Sequence, residues 1–228
     1  MRDDICTIPV SEVFEVNDGC PICRMYNTVQ ERIIEYIMGA AMMEPDIREV
    51  TNKTGFCEKH YGKMLHRKGR LQLALMLQSH IDEINNQVLN DKPLRSNKSK
   101  GEKARRITDS CFICDKIEWG MNRMIDTLYR CYETDMDFRK LFSEQEMFCM
   151  PHFEMLMGGA DKKNMRSYYG EFQKNLTRIT QEYLKTLHSD VTHFCSMYDY
   201  RNSGKDADWG NSKDSIERTI AFLTGNEG

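Results

Sequence analysis

Two short motifs, each occurring twice, constrain this chain more than anything else in it. Cys20-Pro21-Ile22-Cys23 and Cys111-Phe112-Ile113-Cys114 are CxxC turns, and Cys57-Glu58-Lys59-His60 and Cys149-Met150-Pro151-His152 are CxxH turns. A CxxC lets two thiolates point at one ion from a tight turn, and a CxxH adds a third thiolate and an imidazole from a second turn. Each copy therefore offers a set of soft ligands of the kind that holds tetrahedral zinc. A site whose coordination positions are all filled by protein is closed, hence structural rather than catalytic. The CxxC pairs are offset by 91 residues and the CxxH cysteines by 92, and a phenylalanine, Phe56 or Phe148, precedes each CxxH. Recurrence of the whole ligand set marks an internal repeat. The candidate metal ligands are Cys20, Cys23, Cys57 and His60 in the first copy and Cys111, Cys114, Cys149 and His152 in the second.

The remaining groups have weaker claims. Cys6, Cys131 and Cys195 are expected to behave as small buried hydrophobes. His66, His80, His188 and His193 share no repeated spacing and are expected to be hydrogen-bonded or solvent-facing. Met147, Met150, Met155 and Met157 cluster around the second CxxH, where flexible core filling is expected over a soft monovalent metal. Iron-sulfur clusters are an alternative cofactor for the ligand sets, but the usual dense cysteine runs are absent. A thiol-disulfide enzyme would need a thioredoxin-like strand-helix-strand context, and none is visible. No phosphate-cradling loop, nucleophile elbow or HExxH is present, which favours recognition over catalysis.

The compartment bears on how nine cysteines are read. No stretch approaches the ~18 to 20 apolar residues of a spanning helix, and Met1-Arg2-Asp3-Asp4 carries acid where a signal peptide carries base. A cytoplasmic protein without membrane association is expected, and there cysteines serve metal or redox chemistry rather than disulfides. With 228 residues, 40% hydrophobic and 29% charged, the chain can build a real core. Its net charge of -3 supplies no global field for nucleic acid, and no nucleic-acid partner is expected. The expected partner is a protein or small-molecule ligand. The place to look first is the polar-aromatic group Tyr198, Asp199, Tyr200, Arg201 and Trp209, which lacks a counterpart in the first copy, although a loop packed over the helix ends by its aromatics is the favoured reading of that group.

Apolar spacing gives an all-α fold of two tandem helical repeats packed as a bundle, each carrying a CxxC and a CxxH, plus a carboxy-terminal helix. Met25, Val29, Ile33 and Ile37 predict a helix after the first CxxC, closed by Pro45, with a short helix over Asp46 to Asn52. A long helix from about His60 should bury Leu73, Leu77, Ile81, Ile84 and Val88. Residues 91–107, basic and without apolar period, read as a linker between a first repeat at 1–90 and a second at 108–198. In the second repeat Ile117, Met121, Met124, Leu128 and Cys131 repeat the helical spacing. Tyr169, Phe172, Leu176, Ile179, Tyr183, Leu187, Val191 and Phe194 then form the cleanest stripe of the chain. Residues 199–228 hold a loop and a last helix, capped by Asn211 with Asp214 in its first turn and stopping at Gly225.

How the ligands pair is less determined. A straight helix over Arg24 to Met43 carries the chain about 30 Å from the first CxxC. The thirteen residues Glu44 to Phe56 would span about 43 Å extended but only about 20 Å if helical. Sites within each copy are expected. Exchange between copies, with Cys20 and Cys23 meeting Cys149 and His152, is the alternative left open.

The CPxC turn at Cys20, the GFCxxH turn at Gly55, the second CxxC and CxxH, and the late Asp199-Tyr200-Arg201 resemble a bacterial family, mainly from anaerobic Firmicutes, that carries these motifs. The match runs from Cys20 to the last helix, with Met147 where the first copy has Gly55. No activity is established for that family, so the resemblance implies the repeat and the compartment but no mechanism. A redox or metal-responsive protein, in which thiolate oxidation expels the ion, is the competing function.

Overall fold

Pro21 sits at the first position of α2 (Pro21–Met38), where its missing N-H costs nothing. Ile22, Met25, Val29, Ile33, Ile34 and Ile37 then keep one face of that helix buried. The computed structural model describes residues 10–89, 97–199 and 208–225, which contain helices and no strand. A short α1 (Val10–Glu15) buries Val10, Val13 and Phe14 ahead of it. After a 3-10 turn at Ala40–Met43 come α3 (Pro45–Thr54), α4 (Glu58–Leu65) and α5 (Arg70–Ile84), the last running into a π turn at Asn85–Leu89. Next are α6 (Asn97–Thr108), α7 (Phe112–Thr134), α8 (Met136–Ser143), α9 (Met150–Gly159), α10 (Tyr169–Ser196) and α11 (Ser215–Thr224). The element order after each CxxC is the same: a long helix, a shorter one, a CxxH at the start of a short helix, and a long helix.

The chain divides into two compact units that take pieces from both copies. One holds residues 28–121 and therefore most of α2, all of α3 to α6, and the start of α7. The other holds the described residues 10–27 and 122–225, with α1, the start of α2, the rest of α7, and α8 to α11. Thus α2 leads the chain from the second unit into the first, and α7 leads it back.

Several local expectations change. The long helix from His60 is broken into α4 and α5: α4 stops at Leu65, and Gly69, with a left-handed φ of 110°, redirects the chain as the N-cap of α5. Its buried face is Leu73, Met76, His80 and Val88, while Ile81 is 61% exposed. The face is set by packing on α3, which the apolar residues alone did not reveal. Residues 97–107 of the expected linker fall within α6, whose Lys, Glu, Ala and Arg are good helix formers even without an apolar stripe. The stripe of α10 is as expected, with Phe172, Leu176, Ile179, Tyr183 and Leu187 buried. Asp214, not Asn211, occupies the N-cap of α11, since Gly210–Ser212 forms a 3-10 turn first. The helix buries Ser215 and Phe222 and leaves Ile216, Ile220 and Leu223 exposed. Cys131 is half-buried and Cys195 exposed, so neither is the core residue expected, and Cys6 lies outside the described residues.

Candidate metal centres

Each CxxC and each CxxH opens a helix. Cys20 and Cys23 lie at the start of α2, Cys111 and Cys114 at the start of α7, and Cys57 and Cys149 are the N-caps of α4 and α9. Unsatisfied N-H groups at such positions favour thiolates. The amide of Cys114, for example, donates to Cys111 Sγ at 3.5 Å.

The eight candidate residues meet in two quartets, and both are made by exchange between copies. Cys20 and Cys23 join Cys149 and His152, and Cys57 and His60 join Cys111 and Cys114. The expectation of sites within each copy is therefore corrected. Helix lengths supply the reason: the 18 residues of α2 carry the chain about 27 Å from Cys20. The connector that follows is itself helical, so Cys57 does not return to that turn. With α2 leading into one unit and α7 into the other, each CxxH meets the CxxC of the opposite copy, and each quartet lies within one unit.

Their dimensions suit a single ion. In the α2/α9 quartet, Cys23 Sγ is 3.6 Å from Cys149 Sγ, and His152 Nδ1 is 3.5 Å from Cys20 Sγ, 3.4 Å from Cys23 Sγ and 3.1 Å from Cys149 Sγ. In the α4/α7 quartet, Cys57 Sγ is 3.8 Å from Cys114 Sγ. There His60 Nδ1 is 3.1 Å from Cys57 Sγ, 3.3 Å from Cys111 Sγ and 3.4 Å from Cys114 Sγ. A tetrahedral ion with bonds of about 2.3 Å to sulfur and about 2.0 to 2.1 Å to nitrogen sets edges of about 3.8 Å between sulfurs and about 3.6 Å between sulfur and nitrogen. All ligand atoms of each quartet lie within 4.8 Å of one another, so both can hold a metal ion.

The electrostatics differ. Burial, with the charges of Lys59 and Lys63, lowers His60 to about 4, which keeps its imidazole neutral and its Nδ1 lone pair available. Its Nε2 is buried with no hydrogen-bond partner. For His152 burial opposes the charged ring, but hydrogen bonds to Cys20 and Cys23 prevail and raise it to about 10. Burial likewise opposes ionisation of Cys20, yet hydrogen bonds with Cys149, Cys23 and His152 hold it well below the usual thiol range. Burial raises Cys111, and raises Cys114 to about 12. Ion binding must displace the protons these groups carry, so affinity at both quartets rises with pH.

Each quartet is braced by polar contacts between the segments that carry it. The Phe112 amide donates to the Gly55 carbonyl at 3.1 Å, and Ser110 Oγ donates to the Thr54 carbonyl at 2.7 Å. In the other unit, Asn17 Nδ2 donates to the Glu144 carbonyl at 3.2 Å, and Asn17 Oδ1 accepts from the Glu146 amide at 2.7 Å. Gln145 Nε2 donates to the Phe14 carbonyl at 2.7 Å. Arg24 is engaged with Asp18 and the Val13 carbonyl. His80, left unassigned by its spacing, is hydrogen-bonded as expected and has a further role. Its Nδ1 lies 2.6 Å from the Asn52 carbonyl, and its ring fills the space over Gly55, just ahead of the CxxH. The sequence signal for it is slight: a histidine seven residues after Leu73, on the buried face of α5.

The chain belongs to a family of unknown function, DUF6062, whose profile matches residues 1–227. No curated protein and no solved structure matches it. Membership of DUF6062 thus covers both quartets and leaves their role to be argued from geometry. No described helix is long and apolar enough to cross a membrane.

Proposed function

We propose that this member of DUF6062 is a duplicated cytoplasmic protein in which two zinc ions act structurally and which works by recognising a protein or small-molecule ligand. The observation that carries the reading is the closure of each quartet by three sulfurs and one imidazole nitrogen that all lie within 4.8 Å of one another, a spread that one tetrahedral ion bridges. With every position filled by protein there is none left for a substrate or an activated water, so the ion's chemistry is to hold helix starts together. The soft donor set favours zinc over hard cations. An iron-sulfur cluster interposes several irons and sulfides between its ligands, and these ligand atoms stand too close together for that.

The metal joins the amino termini of α2 and α9 in one unit and of α4 and α7 in the other. Recognition is supported by an open cleft of about 470 Å³ in the second unit, lined by Glu146, Glu182, Tyr183, Asp190, Asp214 and Arg218. Arg218 pairs there with Asp190 at 2.9 Å and Asp214 at 3.0 Å, leaving an acidic wall beside a tyrosine. The test is metal analysis with absorbance of anaerobically purified protein. Two colourless zinc ions per chain is the expected result. Visible charge-transfer bands, or protein that purifies metal-free in a reversible disulfide form, would overturn the reading.

A further inference from the structure

The two quartets have the same kinds of ligand but not the same access to solvent. Cys20, Cys23, Cys149 and His152 are all buried, whereas Cys114 is exposed and Cys57 half-buried. The carboxy-terminal end of α11 adds to the cover of the first set. A Cβ placed on Gly225 would lie 3.8 Å from Cys149 Sγ and 3.9 Å from Cys23 Sγ, so the chain passes close enough to both sulfurs that one added side-chain atom would touch them. In the other quartet the two least buried ligands are also neighbours, with Cys57 Sγ 3.8 Å from Cys114 Sγ. The comparable contact between Cys23 and Cys149, at 3.6 Å, is sealed from solvent. Thiolate oxidation is selected by access, and a second thiolate within reach turns the first oxidation product into a disulfide.

We propose that the Cys57–Cys114 pair is an oxidation site for hydroperoxides, which converts two ligands of the α4/α7 quartet into a disulfide and releases its ion while the α2/α9 quartet keeps its own. This rests on the reading that each quartet holds an ion. In the first step the Cys114 thiolate attacks one peroxide oxygen, forming a sulfenic acid and expelling hydroxide or alkoxide. The Cys57 thiolate then attacks the Cys114 sulfur, forming the S–S bond and expelling hydroxide. The two thiolates lose two electrons and the peroxide gains them. The ion, left with Cys111 and His60, passes to water. A dithiol returns the two electrons and restores the ligands. The disulfide keeps Cys57 tied to Cys114 while Cys111 and His60 lose the ion that joined them, so the event is read out in the unit formed by residues 28–121.

The experiment uses the full chain, metal-loaded, titrated with hydrogen peroxide while a chromophoric chelator reports released zinc and peptide mapping locates disulfides. Release of one of the two ions, together with a Cys57–Cys114 link and recovery of the ion after dithiothreitol and zinc, is expected. Cys195→Ser, which removes an exposed thiol outside both quartets, should behave as the parent. Parallel release of both ions, a Cys111–Cys114 link in place of Cys57–Cys114, or resistance of both ions would overturn the proposal and leave the two-ion reading standing. A chain that binds no ion in either quartet would overturn both.

Discussion

The α2/α9 quartet is backed by a cluster of aromatic rings, and the α4/α7 quartet is not. Phe148, immediately before Cys149, stacks on Phe142 at 4.9 Å, and Phe142 meets Tyr132 at 5.1 Å, Phe172 at 5.2 Å and Phe14 at 5.7 Å. All five rings are buried. Beside the α4/α7 quartet the corresponding aromatic, Phe56, packs edge-on against Tyr61 at 5.4 Å, and the flanking α3 and α4 are short. Two ligand sets of the same composition therefore sit in different settings. One quartet is attached to a cluster of interlocked aromatic rings, and the other to a core of aliphatic and methionine side chains such as Ile33, Ile37, Ile47 and Met76. The ligands fix where an ion goes, but the neighbouring packing fixes how much the fold depends on it.

Removing metal should produce the largest effect and divide the two units. Apparent binding of a structural zinc is about 10 to 16 kcal/mol, comparable to or larger than the ~5 to 15 kcal/mol net stability of a domain. On chelation, hydrogen exchange should show α3, α4 and α5 losing protection while α8 and α10 keep theirs. Equal loss in both units would break the comparison. Phe142→Ala comes next, opening a cavity among the rings of the second unit at a cost of about 3 to 5 kcal/mol, measured by denaturant unfolding. It should leave protection in α3 to α5 unchanged.

Gly55→Ala tests the other side. Its φ of 61° is strained for alanine, and its Cβ would come 2.6 Å from His80 Nε2, so about 1 to 3 kcal/mol should be lost from the first unit. Adding His80→Ala should relieve the clash and leave the backbone strain. The smallest effect expected is for Asp135→Ala, where the lost side chain caps the Asp137 and Phe138 amides at the start of α8. A loss of about 0.5 to 2 kcal/mol in thermal or denaturant unfolding of the second unit is expected.

Much of the architecture was readable because it is local. Eight thiol and imidazole groups in repeated turns named the residues that the structure gathers, and the stripe from Phe172 to Leu187 announced α10. Pairing was not local. A CxxC motif states that two sulfurs face one ion but not which CxxH answers, and that choice fell to the length of α2 and the helical connector behind it. The polar run from Asn97 concealed α6 because helix propensity without amphipathic burial leaves no period to detect. Ile216, Ile220 and Leu223 misled in the opposite direction, since an apolar stripe does not say whether anything covers it. His80 was invisible as a brace because its partner is a backbone carbonyl 28 residues earlier in the chain.

The most direct test of the exchanged wiring is metal stoichiometry in two double variants. Cys20→Ser with Cys149→Ser disables ligands of one quartet only, so the chain should retain one ion, whereas Cys20→Ser with Cys57→Ser should retain none. The reverse result, no ion in the first variant and one in the second, would mean that each copy closes its own site and would contradict the account.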